Sequence, residues 1–191
     1  MRWPNVPSVY GWLKLDRRGR WLIKDDPVTN PVVNAFVGRN YLSNDKGQWY
    51  FQNGPQQVFV ELEYTPFVHH IWRNADGSTI GETHTGLVIN QPSQCWLDDT
   101  GNALIDCEHG IGCVDMMSLE TLIDLLTDTE GKPLSAEAIE ALLNGDQRIT
   151  QSARLRWNNN LLPLGFITSK EAPDRFGFDR SPQLPPGQPA C

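Results

Sequence analysis

The clearest pattern along the chain is an alternation of apolar and polar positions. In the run 58–64 the even positions are Val, Val, Leu and Tyr, whereas Glu61 and Glu63 point to the opposite face. A period of two predicts an antiparallel strand with one buried and one solvated face. Shorter apolar runs at 12–15 and 20–23 are separated by a turn that ends in glycine, which predicts a β-hairpin.

A second pattern, with a period near 3.6, predicts helices. Asn30 and Pro31 suit the N-cap and the first helical position. After them Val33, Phe36 and Val37 recur at i, i+3 and i+4. We therefore expect a helix that buries these three side chains in one stripe.

The order of elements repeats in the second half of the chain. Apolar pairs at 96–97 and 104–105 flank a turn that ends in Gly101, as similar pairs do in the first hairpin. Ser118 then caps a helix, and Ser135 caps an additional one. A repeated order of elements indicates an internal duplication.

These patterns together predict an α+β fold of two repeated units, each made of antiparallel β-hairpins packed on a helix. The first hairpin-helix-hairpin unit is expected over residues 8–92. The second, diverged unit with the extra helix is expected over 93–168. Residues 169–191 are expected to form an extended, Pro-rich tail.

The composition narrows the class of protein. The 191 residues include 16 Lys and Arg against 23 Asp and Glu, a net charge of −7. Nucleic acid is therefore not expected as a partner, because phosphate binding needs clustered cations. No stretch has the roughly 20 apolar residues of a membrane helix, and the N-terminus lacks the apolar core of a signal peptide. With four cysteines, too few for a disulfide scaffold, we expect a cytoplasmic protein without membrane contact.

Residues 10–70 also carry a set of recognisable motifs. These are Gly19-Arg20-Trp21, Pro27, the helix from Pro31, Asp45 to Phe51, Pro55, Val58, Val60 and Pro66-Phe67. The set resembles a proteobacterial family catalogued as domain-of-unknown-function family 1285, or a sister family. The resemblance implies a small cytosolic α+β protein with repeated hairpin and helix motifs. A part in signal transduction has been suggested for that family, and it has no established catalytic residues to carry over.

One segment in the middle of the chain contains metal-ligating side chains. Cys107, His109 and Cys113 are close in sequence, and Cys95 lies upstream. Thiolate and imidazole ligands can hold tetrahedral zinc, with Cys95 or His84 completing the set, although the Cys-x-x-Cys spacing is missing. Two alternatives are a Cys-His nucleophile with His109 as base and a pair of small buried thiols.

Other candidates for ligand contact are glycines and tryptophans. Gly110 and Gly112 precede the helix at Ser118, where free backbone N–H groups could meet an anion. Trp3 and Trp157 are expected in loops, and Trp dominates binding hot spots. The alternative for the tryptophans is packing between sheet and helix.

Two adjacent histidines lie in a predicted strand. The side chains of His69 and His70 must point to opposite faces. We expect one to be buried beside Phe67 and Ile71 and the other to be solvated. A metal or acid–base role is the alternative for either.

These observations favour a cytosolic binding or regulatory protein that recognises a small ligand or a partner protein, without enzymatic activity and without a cofactor. The prediction depends on the missing catalytic set, on the seven tryptophans and on the resemblance. The alternative is a metal-dependent hydrolase or thiol enzyme centred on Cys107, His109 and Cys113, with zinc as the metal.

Overall fold

A computed structural model describes residues 6–186 of the chain. They form two units: the first contains the residues up to 66 and those from 173 onward, and the second contains residues 67–172. The division differs from the expected boundaries in the placement of the hairpin at 67–83. Its first strand pairs with a strand of the second unit, so the hairpin belongs there.

The first unit contains a six-stranded sheet with the strand order β3-β2-β1-β6-β5-β4. Strands β1 and β6 are parallel at its centre, and the other pairs are antiparallel. The elements are β1 (Ser8–Leu15), β2 (Trp21–Ile23), β3 (Asp26–Pro27), α1 (Pro31–Arg39), β4 (Tyr41–Ser43), β5 (Trp49–Asn53) and β6 (Gln56–Leu62).

The second unit contains an eight-stranded sheet with the order β12-β13-β14-β9-β10-β11-β7-β8. Strand β7 is parallel to β11, and β14 is parallel to β9. The elements are β7 (Phe67–Arg73), β8 (Thr79–Thr83), β9 (Gln94–Asp98), β10 (Ala103–Cys107), β11 (Gly110–Val114), a 3₁₀ turn (Met116–Ser118), α2 (Leu119–Asp124), β12 (Leu126–Thr127), α3 (Ala136–Leu143), α4 (Gln147–Ser152), β13 (Arg154–Trp157) and β14 (Asn160–Ile167).

The prediction of an α+β fold rich in strands is confirmed, but the expectation of antiparallel sheets is wrong. Both sheets are mixed. In the first unit, two three-stranded meanders are joined through helix α1, and the first strand of one pairs with the last strand of the other. A crossover through a helix brings two strands together in parallel.

The same strand order occurs in both sheets. The order β3-β2-β1-β6-β5-β4 of the first corresponds to β11-β10-β9-β14-β13-β12 in the second, where β7 and β8 extend the sheet. In each, the parallel pair joins the first strand of one meander to the last strand of the other.

A five-residue turn also recurs in both units. The side-chain oxygen of its first residue accepts hydrogen bonds of 2.8–3.0 Å from the N–H groups of the third and fifth residues. Its fourth residue is a glycine at φ between +71° and +83°, which is the left-handed region that glycine favours. The turns begin at Asp16, Asn44, Asp98 and Asp128.

The helices are short and lie at the surface. Helix α1 begins at the predicted cap, where the side chain of Asn30 accepts from Val32 N and Val33 N. The predicted buried stripe is wrong, because Val37 is buried while Val33 and Phe36 are 38% and 43% exposed. Phe36 meets Phe51 edge-on at 5.4 Å, so α1 packs through a narrow contact. No helix within residues 6–186 is long and apolar enough to cross a membrane.

In the second unit, ring side chains lie directly over strand glycines. An ideal Cβ on each of these glycines would come within 2.2–2.6 Å of a ring atom, closer than any side chain tolerates. Such glycines mark a close approach of a neighbouring group. The pairs are Gly81 with Trp157, Gly112 with His69, and Gly165 with Trp96.

The expected extended tail is partly structured. Helix α5 (Ala172–Phe176) lies within it, and Asp179 forms a β-bridge with Gln48. Residues 181–186 belong to neither helix nor strand. The last five residues of the predicted tail lie outside the described residues.

Candidate ligand-binding pocket

A cavity of about 270 Å³ lies in the first unit. Its volume is a little below the range of about 300–1,000 Å³ that is typical of pockets for drug-sized ligands, so a small metabolite matches its size. A turn, two strands and the C-terminal segment contribute the lining. The lining residues are Tyr10, Gly11, Trp12, Lys24, Glu61, Pro182, Gln183 and Leu184.

A bulge in β1 forms one side of the cavity. From Val9 to Leu13 strand β1 advances four residues, while its partner β6 advances two, from Val58 to Val60. The surplus residues include Gly11 at φ +66°, in the left-handed region. A bulge re-aims the side chains around it, and here the two aromatic neighbours of Gly11 line the cavity.

Lys24 is held at the cavity by contacts with this bulge. Its backbone N–H donates to the carbonyl of Trp12 at 3.0 Å. Its Nζ donates to the carbonyl of Gly11 at 3.0 Å and lies 4.5 Å from the centroid of the Trp12 ring, a cation–π distance. The ammonium group therefore has a defined position.

The turn that carries Lys24 is strained. Lys24 and Asp25 connect β2 to β3 and adopt φ values of +51° and +68°. Two-residue hairpins of this kind favour Asn-Gly, because both central residues need positive φ. Non-glycine residues in this region cost on the order of 1 kcal/mol each and concentrate at functional sites.

The Asp25→Gly substitution is expected to raise the free energy of unfolding by about 0.5–1 kcal/mol, because glycine adopts positive φ without a Cβ clash. The Lys14–Asp25 ion pair, at 4.0 Å and largely exposed, contributes little against this gain. Urea unfolding would measure the change. The neighbouring Asp26→Gly, in β3, is the control and should destabilise. A loss of stability in Asp25→Gly would contradict the strain.

Glu61 places a carboxylate in the same cavity. Its Oε1 lies 3.9 Å from the position that a Cβ on Gly11 would occupy. Its neighbour across the sheet is Lys14, whose ammonium group pairs with Asp25 instead. Within residues 6–186, the carboxylate of Glu61 has no hydrogen bond or ion pair. The side chain is half-buried, and its oxygens are not among the buried, unpartnered polar atoms of the described residues, so the carboxylate is open to a ligand.

Aromatic side chains provide the apolar part of the wall. The ring of Tyr10 stacks on Phe59 with centroids 4.4 Å apart and planes 4° from parallel. Phe59 in turn lies 5.7 Å from Tyr50. Burial raises the pKa of the Tyr10 phenol, so the hydroxyl is neutral at physiological pH and can donate a hydrogen bond.

The C-terminal segment closes the cavity on another side. Leu62 N donates to the Arg180 carbonyl at 2.8 Å, which anchors the segment beside β6. Pro182 is buried, and the Gln183 amide donates to the Ser181 carbonyl at 2.9 Å. The residues that follow this anchor line the cavity.

The residues predicted to bind zinc are not brought together. Cys95 pairs with Ile105 in the sheet, whereas Cys113 pairs with Leu104. Since Leu104 and Ile105 are consecutive in β10, their side chains point to opposite faces, and so do the two thiols. Cys107 shares the face of Ile105 and Cys95.

The remaining predicted ligand also lies apart. His109 is in the turn between β10 and β11, where its Nε2 lies 2.9 Å from the Val88 carbonyl. Within residues 6–186 no group of three or more His, Cys, Asp or Glu side chains is arranged to hold a metal. Burial raises the pKa of Cys95 to about 12 and that of Cys107 to about 11. Both are neutral thiols at physiological pH and therefore weak nucleophiles.

Three of the other predicted contact residues lie in strands. Gly112 lies within β11 under the His69 ring, and Gly110 opens the same strand at φ +116°. The 3₁₀ turn Met116–Ser118 lies between this strand and helix α2, so the two glycines are not at the helix N-terminus where an anion site was predicted. Trp157 was expected in a loop but ends strand β13 and is 3% exposed. Its ring lies over a strand glycine in the core. Trp3 lies outside the described residues.

As expected, His69 and His70 lie on opposite faces of β7. His69 is fully buried, and its two ring nitrogens have no hydrogen-bond partner within residues 6–186. Burial, together with the nearby His109 and His70, lowers the pKa of His69 to about 3. Burial likewise lowers the pKa of His84 to about 3. The side chain of His70 is 42% exposed.

His70 belongs to a polar network in the second unit. Its Nδ1 contacts the Asp115 carboxylate, which also accepts from Ser118 Oγ at 3.0 Å. Ser118 Oγ in turn accepts from the backbone N–H of Ile71 at 2.8 Å. The Ser118 hydroxyl therefore does not make the predicted helix cap. The network ties β7 to the 3₁₀ turn that precedes α2.

Sequence reasoning missed most of the cavity. It placed Glu61 correctly on the outer face of its strand, but gave no role to Tyr10, Lys24 or residues 182–184. A glycine inside a strand is a recognised sign of a bulge, and Gly11, between Tyr10 and Trp12, is such a glycine. No local signal shows which strand the C-terminal segment would meet.

Comparisons with known proteins place the chain among uncharacterised families. The model of a family named DUF2944, described as "Protein of unknown function (DUF2946)", matches residues 1–183. A DUF1285 family protein from Silicibacter pomeroyi DSS-3 has a similar fold, with a TM-score of 0.51, 15% identity, and coverage of 84% of this chain and 82% of that one. A DUF1285 family protein from Shewanella baltica OS155 gives a TM-score of 0.43 at 16% identity, over 57% of this chain and 87% of that one. No curated protein matches. The resemblance stated from the sequence is confirmed.

Proposed function

Because the chain belongs to the DUF2944 family, whose function is not established, we propose from its own geometry that it is a binding protein for a small polar ligand. The ligand occupies the cavity of about 270 Å³ in the first unit. Such a protein reports or buffers the concentration of its ligand, which is a regulatory role.

The observation that carries this proposal is the Glu61 carboxylate, which has no partner within residues 6–186. It shares a cavity with an ammonium group that Gly11 and Trp12 hold in place. Pockets that combine aromatic walls with a few fixed polar groups are typical ligand sites. The strain at Lys24 and Asp25 supports the same site, since strain of this kind concentrates where function requires it.

We further propose that the protein works in a reducing compartment. Cys95, Cys107 and Cys113 are free thiols, which agrees with the cytosol.

We also propose that the two units are copies of one ancestral module. Their common strand order supports this, and so do the turns at Asp16 and Asp98, which connect corresponding strands.

A thermal-shift screen tests the proposed function. The purified chain is heated with separate sets of amino acids, nucleotides, organic acids, sugars and polyamines. A ligand at a hundred times its Kd adds about 2.7 kcal/mol of stability, which corresponds to roughly 5–10 °C for a chain of this size. We expect one set to produce such a shift.

Variants then assign the shift to the cavity. Glu61→Gln and Lys24→Met keep the shape of the lining and remove its charges, so both are expected to abolish most of the shift. Glu120→Gln, on an exposed position of α2, is the matched control and should show the same thermal shift as the unmodified chain. A shift that survives both cavity variants would place the ligand elsewhere, and a screen without any shift would contradict the proposal.

A further inference from the structure

The charges of the cavity define the class of its ligand. Resting on the proposed function, we infer that the ligand is a small zwitterion, an α-amino acid with an apolar side chain. Its ammonium group binds Glu61, and its carboxylate binds Lys24.

Neither charge is neutralised by the other. Lys24 and Glu61 both line the cavity, but they form no ion pair with each other within residues 6–186. Lys24 has three N–H donors and uses one of them on the carbonyl of Gly11. Glu61 has two oxygens and no donor. The cavity thus offers one donor group and one acceptor group of opposite charge.

Desolvation decides between the ligand classes. Glu61 is half-buried and Lys24 is exposed, and a bound ligand displaces water from both charges, which is unfavourable for a charge that gains no partner in exchange. A simple amine would pair with Glu61 and leave Lys24 without a new partner, and a simple acid would do the reverse. A zwitterion pairs with both charges, so it is expected to bind more tightly than a ligand with a single charge.

The rest of the lining accommodates a side chain. The ring of Tyr10 and the side chains of Pro182 and Leu184 add apolar surface beside the two charges. The volume of about 270 Å³ is sufficient for an amino acid but small for a nucleotide or a long peptide. An apolar side chain such as that of leucine or phenylalanine matches this wall.

Isothermal titration with capped compounds tests the inference. The probes are L-leucine, N-acetyl-L-leucine, which lacks the ammonium group, and L-leucinamide, which lacks the carboxylate. We expect leucine to bind at least tenfold more tightly than either capped compound. In Glu61→Gln the affinity for leucine should fall to that of N-acetyl-leucine, and in Lys24→Met to that of leucinamide. Glu120→Gln should leave all three affinities unchanged.

The outcomes separate the inference from the proposed function. Equal binding of leucine and leucinamide would overturn the zwitterion and leave a cation site at Glu61. Binding of a different compound from the screen, still dependent on Glu61, would also overturn the zwitterion while the small-ligand function stands. Absence of binding by every compound of the screen would overturn both. The comparison of leucine with its two capped forms uses the unmodified chain, so it tests the inference even if a variant fails to fold.

Discussion

Replacing Gly112 with alanine is expected to lower the free energy of unfolding by about 3 kcal/mol, at the upper end of the range for overpacked cores. The new Cβ would lie 2.2 Å from His69 Nε2 and within 2.5 Å of two ring carbons. His69 is fully buried, so its ring cannot move without displacing packed neighbours. Urea unfolding at pH 7.5, followed by tryptophan fluorescence, measures the loss.

A double-mutant cycle identifies the cause of this loss. In a His69→Ala background the ring is gone, so Gly112→Ala should be nearly neutral there. The coupling energy between the two substitutions should therefore reach at least about 2 kcal/mol, which is within the range for residues in contact. If Gly112→Ala were equally destabilising with and without the His69 ring, the proposed clash would be wrong.

Mild acid is expected to unfold the protein. The pKa values of His69 and His84 are lowered to about 3 by burial in the folded state, against about 6.5 in the unfolded chain. Between these values the unfolded state binds protons that the native state does not, so stability falls as the pH falls below 6.5. Two such histidines give a slope of up to about 2.7 kcal/mol per pH unit. Chemical unfolding at half-unit steps from pH 7.5 to 4.5 measures it.

The choice of pH range separates the histidines from the carboxylates. Exposed carboxyl groups such as Asp76 and Glu171 have lowered pKa values, and they affect stability only below their unfolded values near 4. His69→Phe and His84→Phe should each halve the slope between pH 6.5 and 4.5, whatever their effect on stability at pH 7.5. A slope that is unchanged in both variants would show that other groups take up the protons.

Local sequence signals predicted much of the secondary structure. The turns at Asp16 and Asp98 were visible because each ends in a glycine, and their side-chain oxygens stabilise the same geometry in both units. The cap at Asn30 followed from side-chain chemistry alone. These features depend on residues within a few positions of one another, so they could be predicted from a single sequence.

The remaining features depend on contacts between distant residues. Phe36 looked like a core residue from its spacing, but whether a helical stripe is covered depends on how the helix meets the sheet. The same holds for Cys113, whose face is set by its strand register with Leu104. The cavity combines a bulge near residue 11 with a segment near residue 183. No periodicity in the chain relates those two positions.

The ring of Trp96 over Gly165 has a consequence for stoichiometry. In the central parallel pairs, Lys14 faces Glu61 in the first unit, and Trp96 faces Gly165 in the second. Counted from the turns at Asp16 and Asp98, these pairs occupy corresponding places. The second unit therefore has a glycine at the place of Glu61, and the indole of Trp96 covers that glycine. The proposed function therefore predicts one ligand per chain, and any cooperativity in its uptake would have to arise from the association of several chains.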